Sequence, residues 1–534
     1  MLELEETGFY NLRSSRSLFY HLAKCGVDYF CASPGSSSSP LALGLNFLEN
    51  PKTLVHFDER GMAFHALGYA KASQKPAALF CASGTAVANL FPAIMEGALS
   101  RISLIVITAD RSQDKYFSGE NQTVVQQKMF EDYVKFQCDI SMSDPFITEE
   151  FIAKMVSHAV FMSKGGPVHI NCQMRWPLFS SKEMPEHLAM PTHYEKSISI
   201  PTESTLDRLS KMMPEKGVIV IGANPFKQEI SSLFALSEKL NWPIFADILS
   251  NCRQNHPNLI PYYNFMLKGE KPECVLHFGD RLTSKNLQEW LTAPYYFHVA
   301  DHSDRHDPKH KVTHRVECDP FVFCEKILPY IETKGNSWLK SWQEKKKAIT
   351  EKLEEYFTEN TTLTEPKIFW DLAKTLQTPL FLSNSMPVRD ADTFLFPTSE
   401  RHPILSNRGV SGSDGVIATA TGAAQGLKTA TLLILGDIAA LHDLNSLALV
   451  KKAKHPITCM IINNGGGGIF SFLPIAKKKE VFEEFIATTH DFKFEHAAKM
   501  FDIPIIELET NREDNVRHHE EITELCASCF CTDS

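Results

Sequence analysis

Two stretches in the last third of the chain bring together residues suited to holding a divalent cation and a phosphate. The apolar run 431–435 leads through Gly436 into Asp437. In a sheet of parallel strands, ligands gather beyond the carboxyl ends of the strands. Alone, such an Asp reads equally as a turn or helix-capping residue. A second apolar run, 456–462, ends in Asn463-Asn464-Gly465-Gly466-Gly467-Gly468. A carboxylate, an amide oxygen and a backbone carbonyl are hard oxygen donors, and three of them leave room for phosphate oxygens to complete an octahedron around Mg²⁺. The glycines allow a backbone to approach a diphosphate closely, although a glycine run also suits a plain flexible loop.

The elements that must position these groups follow from the hydrophobic pattern. Short apolar runs alternate with helix-length amphipathic stretches, as βα units around a parallel sheet do. Strands are expected at 53–57, 77–81, 103–108 and 168–171, then at 217–222, 243–247, 274–278 and 295–299, and last at 379–382, 431–435 and 456–462. Ala63, Ala66, Leu67 and Ala70 recur at i, i+3, i+4 and i+7, which marks one face of a helix. The proline-bearing stretch 181–204 reads as a linker, 340–359 as a solvated Lys/Glu-rich helix, and 443–452 as a helix between two strands. The expected fold is α/β, with three doubly wound parallel-sheet domains at 1–185, 200–335 and 360–534.

Composition bounds the function. A chain of 534 residues exceeds what one core absorbs, since domains run to roughly 150 residues each. Hydrophobic residues at 43% and charged residues at 22% argue against intrinsic disorder. Lys plus Arg is 54 against 64 for Asp plus Glu, a net charge of −10 that suits a nucleic-acid binder poorly. An anionic ligand therefore needs cations gathered locally. The acidic opening Met1-Leu-Glu-Leu-Glu-Glu lacks the basic end and apolar core of a signal peptide, and no apolar run approaches the roughly 20 residues of a membrane span. The 13 cysteines follow no regular framework, so reduced thiols and a cytoplasmic location are expected. The cluster Cys526, Cys529 and Cys531 has no second pair or nearby His to complete a tetrahedral metal site.

With Gly436-Asp437 and Asn464 at their observed spacing, the chain resembles the thiamin diphosphate (ThDP) enzymes. That resemblance implies that Asp437, Asn464 and the Gly466 carbonyl bind Mg²⁺ or Mn²⁺. It also implies an activating glutamate in the first domain, and HFDERGMAFHALGYAKAS at 56–73 offers Glu59. A carboxylate on the ring nitrogen of the aminopyrimidine favours its imino form, which then removes the thiazolium proton to give the ylid.

Within that superfamily, SGTAVANLFPA (83–93), TADR (108–111), GENQ (119–122), GPVHIN (166–171), LTSK (282–285), SNRGVSGSDG (406–415), GDIAALHDLNSLAL (436–449), GGIFSFLP (467–474) and FEHAAKMF (494–501) resemble one family in matching order. It is the MenD family of 2-succinyl-5-enolpyruvyl-6-hydroxy-3-cyclohexene-1-carboxylate synthases, transferases of menaquinone biosynthesis. The resemblance implies decarboxylation of 2-oxoglutarate and addition of the succinyl carbanion to isochorismate. Ser385, Arg389 and Arg408 match residues near the 2-oxoglutarate-derived group, and Ser36, Arg111, Gln122 and Lys285 match acceptor positions. Read by themselves, Arg111 and Arg389 could instead pair with Asp110 and Asp390 on a solvated rim. The resemblance further implies a homodimer or homotetramer, with the cofactor between the first domain of one subunit and the third domain of another, and no nucleic-acid partner.

The pattern is broken in places. Ser37 and Asn286 stand where the family has arginines toward the acceptor, and Ser413 stands where an isoleucine supports the bent cofactor. A hydrogen bond to a charged group contributes about 1.5 to 3 kcal/mol, so each lost cation weakens acceptor binding by roughly ten- to a hundredfold. After the helical stretch 514–525 the family continues into an apolar strand, and here a sheet edge is expected to be missing or replaced by 526–531. These departures leave two alternatives open: a ThDP carboligase or decarboxylase with another acceptor, and a non-catalytic relative.

Overall fold

The computed structural model describes residues 2–530 other than 183–188, 196, 228 and 398–399, with backbone alone for 2–5. Three parallel sheets succeed one another along the chain. The first holds β1 (Tyr29–Ala32), β2 (Lys52–Val55), β3 (Ala77–Cys81), β4 (Leu104–Arg111), β5 (Gln137–Ser141) and β6 (Val168–Met174) in the order β2-β1-β3-β4-β6-β5. The second holds β7 (Gly217–Ile221), β8 (Ile244–Ala246), β9 (Cys274–Phe278), β10 (Tyr295–Ala300) and β11 (His314–Glu317) in the order β11-β10-β9-β7-β8. The third holds β12 (Leu380–Leu382), β13 (Ile404–Ser406), β14 (Thr431–Gly436), β15 (Ile457–Asn463) and β16 (Ile505–Glu509) in the order β13-β12-β14-β15-β16. Every neighbouring pair runs parallel. Three α/β units of this kind match the expected fold class.

In the third sheet the chain passes from β12 outward to β13 and then returns to β14 on the other side. The carboxyl ends of β12 and β14 thus flank a topological switch point, where a crevice opens in a doubly wound sheet. Ser385 follows β12, and Asp437 follows β14 directly.

The expected strands form, and five more join them: β1, β5, β11, β13 and β16. Strands β5 (Gln-Cys-Asp-Ile-Ser) and β11 (His-Arg-Val-Glu) lie at sheet edges with one face open, so they carry too few apolar residues to stand out in the sequence. The stretch 181–204 holds no helix or strand among its described residues until the Glu203–Ser210 helix. The expected 443–452 helix is broken into a 3₁₀ turn at Leu444–Ser446 and a helix at Leu447–Lys452.

Two helices differ from the sequence expectation. The Ser337–Glu359 helix is not a solvated bridge: Trp338, Trp342, Ile349, Leu353 and Phe357 are buried along one stripe. Trp342 meets Phe245 of the second unit edge-on at 5.0 Å, and Phe357 stacks on Trp370 of the third at 4.8 Å. The Glu59–Ser73 helix buries every residue from Gly61 to Ala70 rather than one face. It packs along the Val416–Leu427 helix of the third unit, and glycines make that approach possible. A Cβ on Gly68 would lie 2.0 Å from the Thr419 carbonyl oxygen, and one on Gly422 only 1.9 Å from that of His65.

At the C-terminal side, β16 is an edge strand and the Arg512–Ser528 helix follows it. The replacement of a strand by 526–531 is corrected here: Cys526 is buried in the last turn of that helix with its thiol pushed up to about 12 by burial, and Cys529 is its C-cap. Cys531 lies outside the described residues. Among the described residues, no helix is long and apolar enough to cross a membrane.

Candidate active site

Asp437 and the Asn-Gly loop meet at the carboxyl edge of β14 and β15. Asp437 is 2% exposed. Its Oδ1 accepts from the Ile438 N–H at 2.7 Å and its Oδ2 from the Gly466 N–H at 2.9 Å. Burial pushes this carboxyl above its ordinary value, and the two backbone N–H groups oppose the shift. Gly466 sits at φ +150°, and a Cβ there would stand 2.7 Å from the Ala487 carbonyl oxygen, so the loop closes only with glycine.

The Asn464 Nδ2 donates to Glu365 Oε1 at 2.9 Å, whereas its Oδ1 is buried without a hydrogen-bond partner. A buried carbonyl oxygen left unpaired is costly, and a cation would satisfy it. Carboxylate, amide oxygen and a loop carbonyl therefore fit a hard divalent ion.

Glu59 opens its helix directly after β2. The preceding Asp58 caps that helix, its side chain accepting from the Arg60 and Gly61 N–H groups at 3.0 and 3.4 Å. Glu59 is half-buried, and Asn89 Nδ2 donates to its Oε2 at 3.4 Å. Nearby Cys81 has its thiol pushed up by burial and, less, by the Glu59 charge. Within one chain, no hydrogen bond or ion pair among the described residues joins Glu59 to Asp437, Asn464 or Gly466. Its neighbours reach the third unit: Arg60 Nη2 donates to the His442 carbonyl at 2.9 Å, and Asn445 Nδ2 donates to Asp58 Oδ2 at 3.3 Å.

At the switch point, Ser385 takes φ +70° and begins the Met386–Phe394 helix, which carries Arg389. Arg389 Nη1 donates to the Ser385 carbonyl at 2.5 Å. Arg408 Nη1 donates to Asn384 Oδ1 at 2.9 Å. Burial lowers the pKa of both guanidinium groups, and the Arg408 charge lowers that of Arg389 further. Two half-buried cations whose hydrogen bonds go to neutral oxygens make a ready receptor for a carboxylate. The alternative pairing of Arg389 with Asp390 does not occur, because Asp390 faces His519 Nε2 at 3.0 Å. Ser413 is half-buried beside Gly415, where a Cβ would overlap the Phe64 ring of the first unit at 2.0 Å.

The acceptor candidates are more scattered. Ser36 is exposed on the turn before the Ser39–Asn46 helix, a turn that approaches Ala82 through Gly35 and Ser83 through Ser37. Gln122 is exposed at φ +52° and lies against Gly84. Arg111 ends β4, only 8% exposed, with its Nε unpartnered. It does not pair with Asp110, whose carboxylate is taken by Tyr116, Asn171 and the Arg111 backbone N–H. Ser37 points inward, accepting from the Ser83 N–H at 3.1 Å. Lys285 stands apart on the Lys285–Trp290 helix, 81% exposed and 3.9 Å from Glu289, with Asn286 exposed beside it.

Glu365 and His490 escaped the sequence reading. Glu365 is 1% exposed, and its carboxyl is pushed up to about 8 by burial and by the Asp390 charge. His490 Nε2 lies 3.4 Å from Asp437 Oδ2. Thr364-Glu365-Pro366 reads only as a helix start, and nothing local marks Glu365 as buried behind a loop about a hundred residues away.

Comparison with known proteins gives the family. The N-terminal thiamine pyrophosphate enzyme TPP-binding domain matches residues 13–135, the thiamine pyrophosphate middle domain 189–382 and the C-terminal TPP-binding domain 393–530. The chain is 34% identical to the 2-succinyl-5-enolpyruvyl-6-hydroxy-3-cyclohexene-1-carboxylate synthase of Rubrobacter xylanophilus, over 95% of this chain and 97% of that relative. It is 33% identical to the protein of the same name from Shewanella frigidimarina, over 97% and 94%, and 34% identical to that from Listeria innocua, over 95% and 96%. With three ThDP-type domains in order and this identity over nearly the whole length, the chain belongs to the 2-succinyl-5-enolpyruvyl-6-hydroxy-3-cyclohexene-1-carboxylate synthase family of thiamine pyrophosphate enzymes.

Proposed function

We propose that the protein decarboxylates 2-oxoglutarate on ThDP with Mg²⁺ and joins the remaining succinyl group to isochorismate, a step of menaquinone biosynthesis. The observation that carries this reading is the switch-point crevice. There Arg389 and Arg408 are half-buried, with their hydrogen bonds on neutral oxygens, at the same sheet edge as Asp437 and Asn464.

Asp437, the Asn464 Oδ1 and the Gly466 carbonyl would hold Mg²⁺, or Mn²⁺ in its place, against the diphosphate. ThDP, when bound, supplies the nucleophilic ring carbon and takes up the electron pair freed as CO₂ leaves. Glu59 would hydrogen-bond the ring nitrogen of the aminopyrimidine and so control the proton at the thiazolium ring carbon. Arg389, Arg408 and the Ser385 hydroxyl would grip the dicarboxylate donor. Ser36, Arg111, Gln122 and Lys285 are the acceptor candidates, and Ser413 is proposed to lie beneath the cofactor.

The same reading takes the domains as 1–185, 200–335 and 360–534, supported by one sheet in each. It takes the working form as a homodimer or homotetramer. Val55 and Phe57, exposed beside Glu59, and Phe470 and Leu473, exposed beyond the glycine loop, support a second chain covering this edge. A cytoplasmic location is supported by twelve free thiols among the described cysteines.

A second reading keeps the donor half and changes the acceptor. The inward Ser37 and the exposed Lys285 and Asn286 favour it, since they leave Arg111 as the one buried cation among the acceptor candidates. Release of CO₂ from 2-oxoglutarate alone, dependent on added ThDP and Mg²⁺, is expected under both readings. Failure to bind ThDP by calorimetry would instead support a non-catalytic relative.

A further inference from the structure

One ion pair of the first unit is spent on the segment that carries Arg408. Lys71, on the Glu59–Ser73 helix, donates through Nζ to the Ser406 carbonyl at 2.7 Å and to Asn407 Oδ1 at 3.0 Å. Glu96, on the Phe91–Leu99 helix, accepts from the Gly409 N–H at 2.9 Å and from the Val410 N–H at 2.8 Å. The two side chains lie 3.5 Å apart and are 11% and 3% exposed. Ser100 Oγ adds a third donor to the carboxylate at 2.9 Å.

Contact is close enough to require glycine. A Cβ on Gly409 would lie 2.6 Å from the Glu96 carbonyl oxygen and 2.9 Å from its Oε2. The far end of Arg408 is fixed as well, for Asn384 accepts from its Nη1 and donates through Nδ2 to the Asn407 carbonyl at 2.6 Å. Buried ion pairs contribute little net stability over apolar replacements. This one places its donors and acceptors on the residues either side of Arg408.

We infer that the Lys71–Glu96 pair is a positioning device for Arg408, holding the 406–410 backbone so that the guanidinium meets the dicarboxylate donor. The inference rests on the reading that Arg408 binds 2-oxoglutarate. Their hydrogen bonds go to the 406–410 segment, through which both would act. Displacing a positioned group by about an ångström can cost on the order of a hundredfold.

The test is steady-state kinetics on the holoenzyme for Glu96→Gln, for Gly409→Ala, which changes no charge, and for Arg408→Lys, alone and combined with Glu96→Gln. The KM for 2-oxoglutarate is expected to rise about ten- to a hundredfold in each single variant. In Glu96→Gln and Gly409→Ala, kcat should stay within about threefold and ThDP affinity should stay unchanged. Glu96→Gln should add little on top of Arg408→Lys, since residues acting through one contact are not additive. A KM within about twofold of wild type in Gly409→Ala and Glu96→Gln, or a Glu96 effect fully additive with Arg408→Lys, overturns the inference. An unchanged KM in Arg408→Lys alone overturns the donor reading beneath it. If Glu96→Gln does not fold, Lys71→Arg and Gly409→Ala carry the test: retained KM in the first and raised KM in the second support the inference, and equal effects in both overturn it.

Discussion

Asn464 Nδ2 donates to Glu365 Oε1 at 2.9 Å, and this bond commits the amide so that its Oδ1 is left buried and unpartnered. An Asn side chain alone can turn either end toward a cation; a carboxyl on the Nδ2 side selects the oxygen. Groups that orient a metal ligand commonly contribute ten- to a hundredfold in affinity. Glu365→Leu should therefore weaken Mn²⁺ binding by about that factor in a paramagnetic-resonance titration with ThDP present. Glu365→Gln keeps an acceptor and should lose less. Equal Mn²⁺ affinity in wild type and Glu365→Leu would deny the orienting role.

Glu59 begins a capped helix and stays accessible, as a group reaching a cofactor must. Glu59→Gln should lower turnover by about 10² to 10⁴-fold, the usual range for a lost acid–base group. ThDP affinity by calorimetry should shift only a fewfold. Undiminished turnover would remove the role.

For Arg389 the guanidinium fork is the point, because its hydrogen bond to the Ser385 carbonyl leaves other N–H groups for a carboxylate. Arg389→Lys keeps the charge and loses the fork. The KM for 2-oxoglutarate should rise roughly ten- to a hundredfold, matching about 1.5 to 3 kcal/mol for one charge-assisted bond. Initial-rate measurements across donor concentration decide this.

Stability should depend on pH through Asp443, which is 1% exposed and has its carboxyl pushed up to about 6 by burial, against bonds from Ser446 and Ala418. Between the ordinary carboxyl value of about 4 and this raised one, the folded protein keeps a proton that the unfolded chain has released. The contribution is complete below about pH 4 and lost as pH rises through about 6, at roughly 1.4 kcal/mol per unit. Asp443→Asn should flatten that part of the urea-midpoint profile. An identical profile in both proteins would contradict the shift.

On the acceptor side, Asn286 is exposed and Ser37 is not. Asn286→Arg should leave the melting temperature near wild type, since exposed substitutions stay within about 0.5 kcal/mol. It should lower the KM for isochorismate if isochorismate is the acceptor. Ser37→Arg should destabilise, because it removes the acceptor of the Ser83 N–H and overfills a packed turn.

Much of this was legible from the chain itself. Apolar runs at 431–435 and 456–462 located the strands that deliver Asp437 and Asn464, because strands buried on both faces are nearly continuous in apolar residues. The edge strands β5 and β11 were not legible for the converse reason. Ala63, Ala66, Leu67 and Ala70 revealed a helix, but not that its remaining faces would be covered by the Val416–Leu427 helix, since Gly68 and Gly422 signal close approach only when paired in space. Glu365, Lys71 and Glu96 look like surface charges in sequence. Their burial depends on residues far along the chain, and local pattern carries no trace of that.

The most direct measurement is product analysis by mass spectrometry, with the purified protein given ThDP, Mg²⁺, 2-oxoglutarate and isochorismate. The account predicts one CO₂ released per molecule of the succinyl–isochorismate adduct formed. Consumption of 2-oxoglutarate with no adduct, while isochorismate remains intact, would contradict it and assign the crevice to another acceptor.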